Sequence, residues 1–353
     1  MDDERISPGV LLRRLARAEH AHGTGPVGER PDHCESRDAE AMTSPAKPGA
    51  GVAAVLLEYD LGELIAAEPL AGGSATVMKV RTGRGSFVLK QARRLADIEL
   101  QARAAHYLAG RGIRQPRIVR TRAGTVVTAD GHFLQEFLPG KIVRKPRPLQ
   151  VAAAMRHIGT YHAALAGLAG SYASDASSLW TRVADPGYLV SELPGLLARY
   201  QLAGEPELAS LRALDQARDA LLSLPRQIAH GDIAPDNVLM DRDGVVSVID
   251  FTPFCESALF GACAALYWYD IYETGATATS LASRLRRSMS ALGEGRPWTG
   301  AELELWTTGL LREALRRLAT PLALAARSGE PPAAAALRAR HAALLAVLDV
   351  LTH

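Results

Sequence analysis

The chain has 353 residues, of which 48% are apolar and 22% charged, and a formal net charge of +2. This length supports a large core in two domains or lobes of about 150 residues each, which excludes a peptide or a disulfide-stapled miniprotein. The near-neutral charge argues against a protein whose task is to coat nucleic acid. Cys34, Cys255 and Cys263 form no C-x-x-C pair. Neither a disulfide framework nor a zinc site is therefore expected, and the reading is a reducing, cytoplasmic setting. The first 30 residues lack the apolar core of a signal peptide. Lysine occurs five times against 35 arginines, and Asn237 is the single asparagine. Each lysine, and that asparagine, is worth inspecting.

Residues 1–55 read as a poorly ordered leader, with Ser7-Pro8 able to cap a short helix reaching His20 and Met42 as an alternative start of translation. Strands are expected over Glu63–Leu70, Thr76–Arg81 and Ser86–Gln91, with Gly72-Gly73-Ser74 between the first two. Leu95–Ala109 reads as a helix stopped by Gly110 and Gly112. Pro116–Arg122, Thr125–Thr128 and Phe133–Phe137 supply further strands, and Pro139-Gly140 closes this half. The remainder is mainly helical, with apolar residues at 3.6-like spacing over 148–167, 187–202, 206–223, 258–274, 278–292, 300–318 and 332–351. The longest apolar stretch, Ala258–Tyr269, is too short to span a bilayer and reads as a buried helix. The expected organisation is a leader (1–55), a small sheet with one helix (56–139) and a larger, mainly helical part (140–353).

One hairpin interrupts the helices, Val238–Ile249 around Asp241-Arg242-Asp243-Gly244. It is framed by His230-Gly231-Asp232, by Asn237 five positions after Asp232, and by Asp250-Phe251 thirteen positions after Asn237. With a two-residue Asp243-Gly244 loop, Arg242 faces Val245 and Asn237 faces Asp250, their Cβ atoms about 5 Å apart. A four-residue loop shifts that register. An amide oxygen and a carboxylate at the open end of a hairpin suit a hard cation such as Mg²⁺, which takes oxygen ligands and shares them with phosphates. Asp232, on the loop entering the hairpin, is the candidate catalytic base. The spacing follows the H-x-D-x-x-x-x-N pattern of phosphoryl transfer, in which positioning and charge neutralisation do most of the work.

Ile228-Ala-His-Gly-Asp-Ile-Ala-Pro-Asp-Asn-Val-Leu and Val248-Ile-Asp-Phe resemble the catalytic and metal segments of the aminoglycoside phosphotransferase, choline kinase and homoserine-kinase-like superfamily. The resemblance implies an α+β, protein-kinase-like fold, with a small antiparallel β-lobe and a larger helical lobe. It also implies transfer of the γ-phosphoryl group of ATP, or GTP, to a hydroxyl. Carried over by position, Asp232 would be the base, with Asn237 and Asp250 the magnesium ligands. Lys90, in Ser86-Phe-Val-Leu-Lys90, would contact the α- and β-phosphates, and Glu99 would be its helix partner, with Asp97 close by. Gly72, Gly73 and Ser74 would form the phosphate-covering loop. Gln135–Leu138, including Phe137, would connect the lobes and offer backbone groups to adenine. Thr252 follows Asp250-Phe251 where protein kinases have Gly. No G-x-G-x-x-G or Walker loop occurs, and Leu259-Phe-Gly-Ala262 stands where many relatives carry Asp-Leu-Ala.

Other features have ordinary readings. His157 and His162 are expected as core or capping residues. Lys141–Arg147 is a basic, solvated run. Trp180, Tyr188, Trp268 and Tyr269 are candidates for an acceptor pocket, while Asp185, Glu192 and Glu273 are too scattered for a cation site. The leading expectation is an ATP- and Mg²⁺-dependent kinase of a small-molecule hydroxyl. The alternatives are a kinase of peptide Ser or Thr in natural-product maturation and a non-catalytic nucleotide-binding scaffold. Neither a nucleic-acid nor a membrane partner is expected, and the sequence leaves the oligomeric state open.

Overall fold

The computed structural model describes residues 48–70, 77–168, 172, 174, 178–242, 244–272 and 278–352. The Gly72-Gly73-Ser74 loop, the leader up to Met42, and Glu273 lie outside the described residues. The chain forms two compact units. Among the described residues the smaller holds 48–95 and Ile118–Phe137, and the larger holds Ala96–Arg117 and Leu138 onward.

In the smaller unit a helix, α1 (Pro48–Leu56), precedes β1 (Leu64–Pro69), β2 (Met78–Thr82), β3 (Gly85–Gln91), β4 (Ile118–Val119) and β5 (His132–Glu136). The strands form one antiparallel sheet in the order β1-β2-β3-β5-β4. Alternation sorts its residues by face. Met78, Val80, Leu89 and Leu134 form a core with Val52, Val55, Leu56 and Tyr59. Helix α1 is a departure from the expected leader. Its apolar residues bury against the sheet, and Arg122 secures the following turn by donating to Tyr59 O at 3.1 Å. Thr125–Thr128 makes no strand. Its backbone closes turns instead, Thr121 N on Thr125 O and Thr128 N on His132 O.

The larger unit begins with α2 (Leu95–Ala109), whose buried Leu100, Ala104 and Leu108 join the core of that unit. Then come β6 (Lys141–Ile142), α3 (Pro148–Leu165), α4 (Leu179–Arg182), α5 (Pro186–Arg199), α6 (Glu205–Leu222), β7 (Arg226–His230), β8 (Val238–Met240), β9 (Val245–Val248), β10 (Pro253–Ser257), α7 (Ala258–Leu266), α8 (Ala278–Gly295), α9 (Gly300–Ser328) and α10 (Ala334–Thr352). Ala154, Met155, Ile158, Tyr161 and Leu165 make a buried stripe along α3, one face of an amphipathic helix. Helix α9 runs ten residues beyond the expected end. Leu318, Leu322, Ala323 and Ala325 keep its apolar face buried through Pro321, and Gly329 at φ +77° ends it.

The expected continuous helix over 258–274 changes at Tyr267–Ile271 into a π-helical turn. Among the described residues no helix is long and apolar enough to cross a membrane. Two features missing from the sequence reading frame the hairpin. Strand β6 pairs with β8 (Lys141 with Met240), and β7 pairs with β10 (His230 with Pro253).

Candidate active site

The β7–β10 pair sets the site. His230 ends β7, and its partner Pro253 starts β10, so the loop beginning at Gly231 lies beside the Asp250–Thr252 turn. Gly231 N donates to Thr252 O at 3.0 Å. The position requires glycine, since a Cβ there would come within 2.3 Å of the Phe254 ring.

His230 is fully buried and braces the two segments. Its Nδ1 accepts from Asp232 N at 3.2 Å, which puts the ring proton on Nε2, 3.4 Å from Ile249 O. Burial pushes its pKa down against the pull of Asp232 and Asp250, which fits this neutral tautomer. The ring also meets Phe251 edge-on at 5.4 Å.

Asn237 ends a 3₁₀ turn, Pro235–Asn237. Its Nδ2 donates to Asp232 O at 2.8 Å. Only the NH₂ can donate, so the amide orientation is fixed and Oδ1 is left as the acceptor. The hairpin register corrects the expected one. Val238 faces Val248 and Leu239 faces Ser247, a bulge follows, and Met240 faces Val245. The loop therefore has four residues, with Asp241 N bonded to Gly244 O. Asn237 consequently lies across from Ile249, whose N donates to Asn237 O at 2.9 Å, one position short of Asp250. Asp250 follows in a left-handed conformation, φ +54°, that turns the chain out of the strand. The groups at this end, an amide oxygen and a carboxylate, are of the hard oxygen type that a divalent cation such as Mg²⁺ takes.

Asp232 is held through its side chain as well as its backbone. Its Oδ1 accepts from Arg317 Nη1 at 2.8 Å and Trp268 Nε1 at 3.2 Å. Burial pushes its carboxyl up, but Arg317 and Arg316, with the Arg317 hydrogen bond and His230, outweigh that and hold it below the usual carboxylate range. The arginines are built into α9. Glu313 accepts from Arg316 Nε at 2.7 Å and from Arg317 Nε at 2.6 Å, and all three side chains are nearly inaccessible. Gly231 O accepts from both, Arg316 Nη2 at 2.9 Å and Arg317 Nη2 at 3.1 Å. The loop is thus held by cations from α9 in a chain that lacks the acid of the Asp-Leu-Ala segment. In that segment Gly261 lies under the His162 ring, where a Cβ would come within 2.4 Å.

The sequence reading missed Glu313, Arg316 and Arg317. Their signal was available: Glu313, Arg316 and Arg317 are spaced i, i+3 and i+4 in a helical stretch, Leu310–Leu318, that the sequence otherwise marks as core by its leucines. Of the aromatic candidates, Trp268 reaches Asp232. Trp180 is exposed, Tyr188 packs under Arg182, and Tyr269 is buried. Asp185 caps α5 through Gly187 N.

In the smaller unit, Lys90 lies on the sheet face opposite the core, with Lys79, Val88, Phe133 and Gln135. Gln135 is corrected from the connection to the sheet interior, paired with Val88 on one side and Ile118 on the other. Phe137 N is bonded to Ser86 O at 3.1 Å, and Lys79 Nζ lies 4.6 Å from its ring. Glu99 is exposed on α2, whereas Asp97 is half-buried and accepts from Tyr172 OH at 2.8 Å.

Residues 66–260 match the model of the phosphotransferase enzyme family. The chain is 32% identical to a homoserine kinase of Methylobacillus flagellatus over 271 residues, covering 73% of this chain and 79% of the relative. An aminoglycoside phosphotransferase of Alicyclobacillus acidocaldarius superposes with a TM-score of 0.58 at 17% identity, over 88% of this chain and 95% of that one. An amicoumacin kinase, solved in complex with AMP-PNP, Ca²⁺ and Ami, gives a TM-score of 0.61 at 15% identity, over 84% and 92%. The expected α+β, protein-kinase-like fold is the one observed, and the chain is a kinase with an alcohol group as acceptor. It belongs to the phosphotransferase enzyme family, the superfamily its catalytic segment resembles.

Proposed function

We propose that the protein transfers the γ-phosphoryl group of ATP, with Mg²⁺, to the hydroxyl of a small amino alcohol or hydroxy amino acid, homoserine being the first candidate. The observation that carries this reading is the Asp232 loop, a carboxylate kept ionised on a backbone fixed by His230, Asn237, Arg316 and Arg317. Asp232 orients the acceptor hydroxyl and takes its proton as the oxygen bonds to phosphorus and the bond to ADP breaks. Asn237 Oδ1 and the Asp250 carboxylate would hold the metal, which supplies charge neutralisation at the phosphates. Lys90 would reach the α- and β-phosphates. The homoserine kinase relative supports the acceptor class, and the AMP-PNP and Ca²⁺ bound by the amicoumacin kinase support a nucleotide with a divalent cation.

The test is ADP release with Mg²⁺-ATP across homoserine, choline, kanamycin and a Ser/Thr peptide, with ³¹P detection of product. Turnover on homoserine or a close hydroxy amino acid is expected. Turnover confined to the peptide overturns the small-molecule reading.

A further inference from the structure

The two oxygens of the Asp232 carboxylate are not equivalent. Oδ1 takes both the Arg317 and the Trp268 hydrogen bonds, and among the described residues none reaches Oδ2. The side chain is 40% exposed, so the uncommitted oxygen belongs to a carboxylate that a substrate can reach. Arg317 is itself rigid. It is 6% exposed, bonded to Glu313 and Gly231 O, and its Cζ lies over the Trp268 ring, 4.6 Å from the centroid.

We propose that Arg317 is the positioning residue for the base: with Trp268 it pins Oδ1, so that Oδ2 alone meets the acceptor hydroxyl. This inference rests on the reading of Asp232 as the base. The torsion that swings a carboxylate about its last bond is broad and roughly two-fold. Two donors on one oxygen remove that freedom before substrate arrives, which is the condition for a near-attack geometry. The proton leaves the acceptor oxygen for Oδ2, the acceptor oxygen bonds to phosphorus, and the electron pair of the broken phosphorus–oxygen bond stays on ADP. The π-helical turn serves the same end, because it carries Trp268, the second donor.

The rest of the loop does not depend on the Arg317 tip. Asp232 N is held by His230, Asp232 O by Asn237, and Gly231 O also by Arg316. Loss of Arg317 should therefore alter chemistry more than binding. In Arg317→Ala, kcat is expected to fall about 100-fold, the loss typical of a misplaced reacting group, with KM for ATP and acceptor within about twofold of wild type. Added guanidinium should recover part of that loss, and Arg317→Lys should retain more activity than alanine. Trp268→Phe removes the other donor, keeps the ring, and should lower kcat several-fold.

Combined with Asp232→Asn, the alanine variant should be no slower than Asp232→Asn alone, because one acts through the other. An Arg317→Ala enzyme with normal kcat overturns the inference. So does a loss that neither lysine nor guanidinium relieves. If alanine fails to fold, Arg317→Lys and Trp268→Phe decide, and full kcat in both overturns it. Turnover retained by Asp232→Asn would instead remove the base assignment beneath it, so the two failures are distinguishable.

Discussion

Asp250 is held at φ +54°, a conformation that L side chains adopt at a cost of about 1–2 kcal/mol and that Asp tolerates better than most. The strain sits on a residue whose carboxylate is proposed to hold the metal. Asp250→Gly should therefore gain up to about 1 kcal/mol in denaturant midpoint analysis while losing turnover. A destabilised variant would show that the turn is set by side-chain bonds and not by backbone strain. His162 makes the matching case for pH. Burial, with the neighbouring His230 and Arg296, lowers its pKa to about 3 from 6.5. The imidazole is neutral in the fold and protonated in the unfolded chain below pH 6.5. Its stability contribution is thus complete above 6.5 and is lost progressively as pH falls toward 3, by up to tenfold in the folding equilibrium per pH unit. Urea midpoints measured from pH 7.5 to 5 should fall less steeply in His162→Asn, and parallel curves would contradict this.

Among the elements, α9 does more than its apolar spacing announced: it delivers Glu313, Arg316 and Arg317 to the Asp232 loop. Glu313 is fully buried, and the two arginines outweigh the upward push of burial on its carboxyl. Glu313→Gln leaves two buried guanidinium groups short of their anion, and breaking such a pair costs about 3–5 kcal/mol. Thermal and urea unfolding should both register a loss of that order, and a loss below 1 kcal/mol would mean that water or Asp232 takes over the charge. The hairpin shows where sequence reasoning stops. Its two strands were legible from apolar runs, but the bulge between Leu239 and Met240 leaves no sequence signal, and it moved the pairing one position from that expected of a two-residue loop. Strands β7 and β10 were invisible for a similar reason: they are five residues each and stabilise only as a pair.

For the molecule as a whole, elements such as α3 and β2 followed from periodicity because each buries one face in the core of its own unit. The segment holding Asp232, Asn237 and Asp250 stood out because the three lie within twenty residues of one another, so local spacing nearly determines their geometry. The α9 cations did not, because they stand 85 positions away from their partners and only the tertiary fold brings them there. The account as a whole turns on Asp232 as the base of phosphoryl transfer. Its most direct measurement pairs calorimetric nucleotide binding with acceptor phosphorylation in Asp232→Asn. The account predicts ATP affinity within about threefold of wild type and a fall in kcat of about 10³-fold, in the range that a general base contributes. A kcat within tenfold of wild type at unchanged affinity would contradict it.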